Sequence, residues 1–148
     1  MADTDRKARV LVVDDEPDIR RIVRLLLERD GSFEVVGEAA DGADGLEFAQ
    51  ELEPDVVLLD LMMPKMSGRE ALPLLGKHVP RAMIVVLSAL DEDSEGDPTR
   101  ALGAFGYIEK TALGETFAAD VAWLHKEFQR ALDGETVVAP ASAEATSA

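Results

Sequence analysis

The stretch VVLLDLMMPKMSG, residues 56–68, runs four apolar residues into Asp60 and continues with apolar residues after it. Burying a lone ionised carboxylate is costly, so the simplest reading is a strand, Val56–Leu59, with Asp60 emerging at its carboxyl end. Other polar residues end apolar runs in the same way. Asp14 and Asp15 follow VLVV, Ser88 closes VVLS, and Lys110 closes GYIEK. Taken singly these are ordinary: an acid that caps a helix, a strand-end hydroxyl, a surface lysine. Taken together they form a chemical set. Carboxylates in close array repel one another unless a cation sits among them, and oxygen donors of this kind suit a small hard divalent ion, Mg²⁺ above others. A carboxylate can attack phosphorus and form an acyl phosphate. Phosphoryl transfer needs positioning and charge neutralisation more than covalent assistance. Lys110 and the metal would neutralise charge, and Ser88 would donate a hydrogen bond.

Such a set requires a fold that brings strand ends to one edge. Val10–Val13 reads as the first strand. Pro17 sits near a helix start, where its missing N–H does no harm, and Ile19, Ile22, Val23 and Leu26 follow at helical spacing up to Asp30-Gly31. Phe33–Gly37 is a second strand, Asp41-Gly42 a turn, and Gly45–Leu52 a short helix ended by Pro54. Asp55–Leu59 is the third strand. Ser67 caps a helix through Leu75 that Pro73 should distort. Met83–Leu87 is the fourth strand. Residues 91–102, with Gly96, Pro98 and several acids, make a poor helix; such a charge run is ordinarily a solvated face, and the other reading is a mobile output element. Tyr107-Ile108 mark a short fifth strand, and Leu113, Phe117, Val121, Leu124, Phe128 and Leu132 form the stripe of a long last helix. This alternation predicts a doubly wound, five-stranded parallel sheet with helices on both faces, in a single domain. In such sheets ligands bind at the carboxyl edge of the strands, where Asp14, Asp15, Asp60, Ser88 and Lys110 would meet.

The whole chain has 148 residues, 47% of them hydrophobic, which suits one domain with a real core. It has no cysteine, hence no disulfide framework or thiolate metal site. The N-terminal MADTDRKAR lacks an apolar segment of signal-peptide type, and no apolar run reaches membrane-spanning length. A cytoplasmic protein without membrane attachment is expected. Thirty acidic against fifteen basic residues give a formal charge of −15. A surface of that sign repels phosphate backbones and argues against direct nucleic-acid binding.

On the residues VLVVDDEPDIR, PDVVLLDLMMPKMSG, VVLSA and GYIEK, over residues 8–132, the sequence resembles the receiver domain of two-component response regulators. The resemblance implies a flavodoxin-like fold, with residues 1–7 as an N-terminal extension and 133–148 as a mobile C-terminal tail. It implies Asp60 as phosphoacceptor and Mg²⁺ as cofactor, ligated by Asp15, Asp60 and the carbonyl of Met62, with Asp14 acting through water. Ser88 and Tyr107 take the switch positions, and Lys110 binds the phosphoryl group. The implied donor is a histidine kinase or histidine phosphotransfer protein, and the implied role is that of a phosphoacceptor signalling domain rather than an enzyme. Phe105 and Trp123 would lie on the face that responds to phosphorylation. Trp123 falls well off the apolar stripe of the last helix, beside Thr116, Asp120 and Glu127, so both aromatics read as exposed anchors for an unidentified effector or a second copy of the chain.

Two other function classes are weaker. A metal-dependent aspartyl-phosphate phosphatase usually has a second acid closely following the nucleophile, whereas Leu61 and Met62 follow Asp60. A receiver-shaped binding module that works without phosphorylation would lack one of the acids, the serine or the lysine, and none is missing. No G-x-G-x-x-G follows the first strand, which disfavours a dinucleotide fold. His78 and His125 are isolated and read as structural or surface residues. One departure from the family pattern is Thr111 after Lys110, where proline is common, so no cis X–Pro bond can form there. GEAADG and RALDGETVVAP resemble receivers that precede a helix-turn-helix domain; with the sequence ending soon after Pro140, the two readings are a stand-alone regulator signalling through a protein partner, which is the expectation, and a receiver cut from a longer protein.

Overall fold

In the computed structural model, residues 6–134 are described. The expected tail lies outside them from residue 135 onward, as do residues 1–5 of the expected N-terminal extension. Five strands, β1 (Ala8–Val13), β2 (Phe33–Ala39), β3 (Val56–Leu59), β4 (Met83–Ser88) and β5 (Gly106–Glu109), form one parallel sheet in the order β2-β1-β3-β4-β5. Between them run α1 (Pro17–Asp30), α2 (Gly42–Leu52), α3 (Gly68–His78) and α4 (Glu92–Ala101), and α5 (Phe117–Leu132) closes the domain.

Period-two alternation in the central strands splits the core in two. Val10, Val12, Val56, Leu58, Val85 and Ile108 pack with Val23, Leu27, Phe117, Val121 and Leu124 of α1 and α5. Leu11, Val13, Val57, Leu59, Val86 and Tyr107 face the opposite way and pack with Ala49, Ala71, Leu72 and Leu75 of α2 and α3. Because both faces are covered, β3 and β4 are buried along their whole lengths and read as continuous apolar runs. The chain winds outward from β1 to β2 and then crosses back to β3. The ends of β1 and β3 therefore flank the point where winding reverses, the usual place for a ligand crevice.

Two expectations about helices need correction. Residues 92–101 form a regular α4 despite Gly96 and Pro98. Asp91 caps its first turn through the Asp93 amide, and Glu109 accepts from the Glu92 amide at 2.9 Å. Arg100 pairs with Glu92 at 2.7 Å, and Arg69 of α3 pairs with Glu95. Acids in its first turn also suit the positive end of the helix dipole. The helix expected through Leu75 continues to His78, with Pro73 inside it. That helix starts from a full capping box in which Ser67 Oγ accepts from the Glu70 amide and Glu70 accepts from the Ser67 amide. The last helix begins at Phe117, and Leu113 follows a 3₁₀ turn, Lys110–Ala112.

Candidate phosphoryl and metal site

The turn after β1 is built for acids. The Asp14 amide donates to Ala39 in β2, which fixes the backbone as the strand ends. Asp14 itself is 1% exposed, and its Oδ1 accepts from the Glu16 amide at 2.9 Å. Asp15 is exposed at the mouth of the same turn. Across the crevice the Asp60 amide donates to the Val13 carbonyl at 2.9 Å, so β1 and β3 present Asp14 and Asp60 side by side. Carboxylate oxygens of Asp14, Asp15 and Asp60 all lie within 4.8 Å of one another, as the sequence led one to expect.

Lys110 reaches this cluster from the end of β5. Its Nζ lies 2.9 Å from Asp14 Oδ2, 2.9 Å from Glu16 Oε1 and 3.3 Å from Asp60 Oδ2. Thr111 in place of proline therefore does not keep the ammonium from the site. Burial works against the charged ammonium, but hydrogen bonds to Glu16 and Asp14 outweigh it and raise the Lys110 pKa. For Asp60, burial and then the charge of Asp14 push the pKa from 3.8 up to about 6, only partly opposed by Lys110. Burial raises Asp14 as well.

The acids fit a divalent cation. Asp14 Oδ2 is buried with the Lys110 ammonium at 2.9 Å, and three carboxylates crowded within 4.8 Å leave more negative charge than that one ammonium offsets. The donor set is all oxygen, which favours Mg²⁺ over softer ions.

Ser88 and Tyr107 lie on the neighbouring strands. Ser88 is buried and its Oγ accepts from the Leu90 amide at 3.1 Å. Tyr107 is fully buried, and its hydroxyl donates to the Leu90 carbonyl at 2.7 Å. Burial raises its phenol pKa, with a hydrogen bond to Ser88 acting in the opposite sense. Both residues thus converge on the loop between β4 and α4. Met62, after Asp60, is 61% exposed at the rim.

The reading of Phe105 and Trp123 as exposed aromatics is corrected. Both are half-buried and pack against the core on the α1–α5 side. Phe105 stacks edge-on against Phe128, with ring centroids 5.3 Å apart and planes at 80°. An indole is long enough to lay its apolar body back on the core even from the flank of a helix. Sequence reasoning also missed two residues. Glu16 shares Lys110 with the aspartates, and its only signal was a third acid in DDE. Arg20 holds the Asp14 carbonyl at 2.6 Å, a contact that α1 creates by turning Arg20 back over its own start.

The model of the response regulator receiver domain matches residues 10–121. The chain belongs to this family. This receiver is 42% identical over 127 residues to the protein-glutamate methylesterase/protein-glutamine glutaminase of Maricaulis maris, covering 84% of this chain and 30% of that protein. It is 45% identical over 101 residues to the nitrate/nitrite response regulator protein NarP of Escherichia coli, covering 68% of this chain and 47% of that protein. The chain therefore spans less than half the length of these relatives. Among solved structures, the response regulator domain of Thermotoga maritima CheB superposes with a TM-score of 0.72 at 32% identity, covering 86% of this chain and 98% of that one. The signal receiver domain of the putative response regulator NarL from Mycobacterium tuberculosis gives 0.76 at 35%, covering 82% and 98%. The receiver is a two-component signalling domain with the flavodoxin-like architecture. Among the described residues no helix is long and apolar enough to cross a membrane.

Proposed function

We propose that residues 8–132 form the receiver unit and that Asp60 is its phosphoacceptor. A carboxylate oxygen of Asp60 attacks the phosphorus of a phosphohistidine on a histidine kinase or histidine phosphotransfer protein. The P–N bond breaks, its electron pair leaves with the imidazole, and an acyl phosphate forms on Asp60. The reading is carried by one observation: Lys110 bridges Asp14 and Asp60 at the point where the sheet's winding reverses. Asp15, Asp60 and the Met62 carbonyl would hold Mg²⁺, with Asp14 bonded through water. When bound, the cation supplies charge neutralisation for the incoming phosphoryl oxygens. Lys110 holds a second flank of that group, and Ser88 donates to it once its hydroxyl leaves the Leu90 amide. Tyr107 then loses its reason to stay on the Leu90 carbonyl, and the α4–β5–α5 side, including Phe105 and Trp123, presents a changed face to an effector or a second copy. In this reading the unit signals and assists its own phosphotransfer rather than acting as an enzyme on other substrates, inside the cytoplasm and without contacting nucleic acid.

Incubation with acetyl phosphate and Mg²⁺ tests it. Intact-mass spectrometry is expected to show one added phosphoryl group, and Asp60→Asn to show none. Full phosphorylation of the Asp60→Asn protein would overturn the assignment.

A further inference from the structure

The acidic turn is held by a strap that none of the site residues supplies. The Asp14 carbonyl lies just past the end of β1, and the Arg20 guanidinium donates to it at 2.6 Å through Nη1. The same guanidinium donates through Nε to Glu38 of β2 at 3.0 Å. Glu38 is gripped from its other oxygen by Arg24, with Nε at 2.9 Å and Nη2 at 2.8 Å. Burial disfavours the Glu38 anion, but the two arginines outweigh burial and lower its pKa, so the strap stays fully charged at neutral pH. The Arg20 side chain is only 19% exposed, so its fork has little freedom to leave this geometry. The guanidinium sends Nη1 to the carbonyl and Nε to the carboxylate along fixed, separate directions, a geometry that a single ammonium nitrogen does not reproduce.

We infer that Arg20 is a positioning residue for the divalent cation: anchored on Glu38, it fixes the Asp14–Asp15 peptide and thereby the direction in which both carboxylates meet Asp60. The inference rests on the metal reading above. Without the strap, the Asp14–Asp15 peptide keeps only the restraints on either side of it, the Asp14 amide on Ala39 and the Glu16 amide on Asp14 Oδ1, and more of the ordering of the three carboxylates falls to the moment the cation binds.

Electrostatics alone gives the opposite sign, which makes the test sharp. Removing a positive charge beside a divalent-cation site should tighten binding; losing the strap should loosen it. Isothermal titration with Mg²⁺ on the phosphate-free protein is the direct measurement, made well below the melting temperature of each variant. Arg20→Ala is expected to weaken Mg²⁺ binding roughly 10-fold, the lower end of what outer partners of metal ligands contribute. Arg20→Lys keeps the charge but cannot grip both partners, and it is expected to weaken binding as well. Arg21→Ala removes a charge from the same helix that pairs with exposed Asp18 and, among the described residues, with no group of the site, and it should leave the affinity unchanged or slightly tighter. Phosphorylation by acetyl phosphate should show half-saturation by Mg²⁺ moving up in Arg20→Ala while the plateau at saturating Mg²⁺ holds. Equal or tighter Mg²⁺ binding by Arg20→Ala, unchanged binding by Arg20→Lys, or a lowered plateau with unmoved half-saturation would overturn the inference. A parent protein that binds no Mg²⁺, or an Asp15→Ala protein that binds it as well as the parent, would instead overturn the metal reading beneath it.

Discussion

Asp60 should make this protein less stable at neutral pH, and replacing it should make the fold tougher. The carboxylate is 5% exposed and faces Asp14. Its pKa rises from 3.8 to about 6 on folding, first through burial and then through the charge of Asp14. A folded-state pKa above the unfolded one means that the native protein binds this proton more tightly. The stabilisation is full below pH 3.8 and is lost as pH rises through about 6. At 1.36 kcal/mol per pH unit, the difference amounts to about 3 kcal/mol of native-state destabilisation at pH 7.5. Asp60→Asn removes that cost, and the favourable contact with Lys110 at 3.3 Å is already counted in it, because Lys110 is one of the groups that hold the rise down to about 6. The gain is therefore about 3 kcal/mol, which for a chain of this size raises Tm by about 6–12 °C. Thermal and urea unfolding in EDTA at pH 5 and pH 7.5 would measure it. The variant should exceed the parent at pH 7.5, and the gap should shrink at pH 5. Millimolar Mg²⁺ should close part of the gap by stabilising the parent more: at ten times its Kd a ligand contributes about 1.4 kcal/mol. An Asp60→Asn protein no more stable than the parent at pH 7.5 in EDTA, with the same pH slope, would refute the reasoning.

Met62 stands two residues after Asp60 and Leu90 two after Ser88, and neither side chain can orient a water by hydrogen bonding, so the phosphoryl group on Asp60 should be long-lived; the Met62→Asn, Leu90→Glu double variant is expected to lose phosphate faster in a radiolabel chase, and equal decay would count against this. Tyr107→Phe removes the 2.7 Å bond to the Leu90 carbonyl, which should cost about 1 kcal/mol and speed amide exchange across residues 89–95; unchanged exchange would show that the hydroxyl does not hold this loop.

The sheet was legible because its physics is local. Val10–Val13, Val56–Leu59 and Met83–Ser88 are buried on both faces, and such strands announce themselves as unbroken apolar runs ended by polar residues. The convergence of Asp14, Asp15, Asp60 and Lys110 followed from parallel topology alone. What escaped depends on partners distant in sequence. α4 is a weak helix by propensity, and it is held by Glu109 and Arg69, neither of which can be paired with it from the sequence. Trp123 looked exposed because a helical wheel records where a Cβ points, not how far an indole reaches. Tyr107 could be placed on β5, but its bond to Leu90 is a rotamer choice set by packing. Arg20 offered no periodic signal, because its contact is with a backbone carbonyl in the turn before its own helix.

The loop that follows Asp60 is seated backbone on backbone. A Cβ at Gly68 would stand 2.0 Å from the Asp60 carbonyl oxygen, and one at Gly42 would stand 2.6 Å from the Met66 carbonyl oxygen. The amides of these same glycines donate to Leu61 and Met66 at 2.9 Å. Anyone wishing to retune this receiver by grafting a loop from another protein would thus face a matched pair of sockets. A graft between Asp60 and Gly68 keeps this seating whatever side chain stands at exposed Met62, but both glycines have to travel with it, one of them from a helix that the graft never includes.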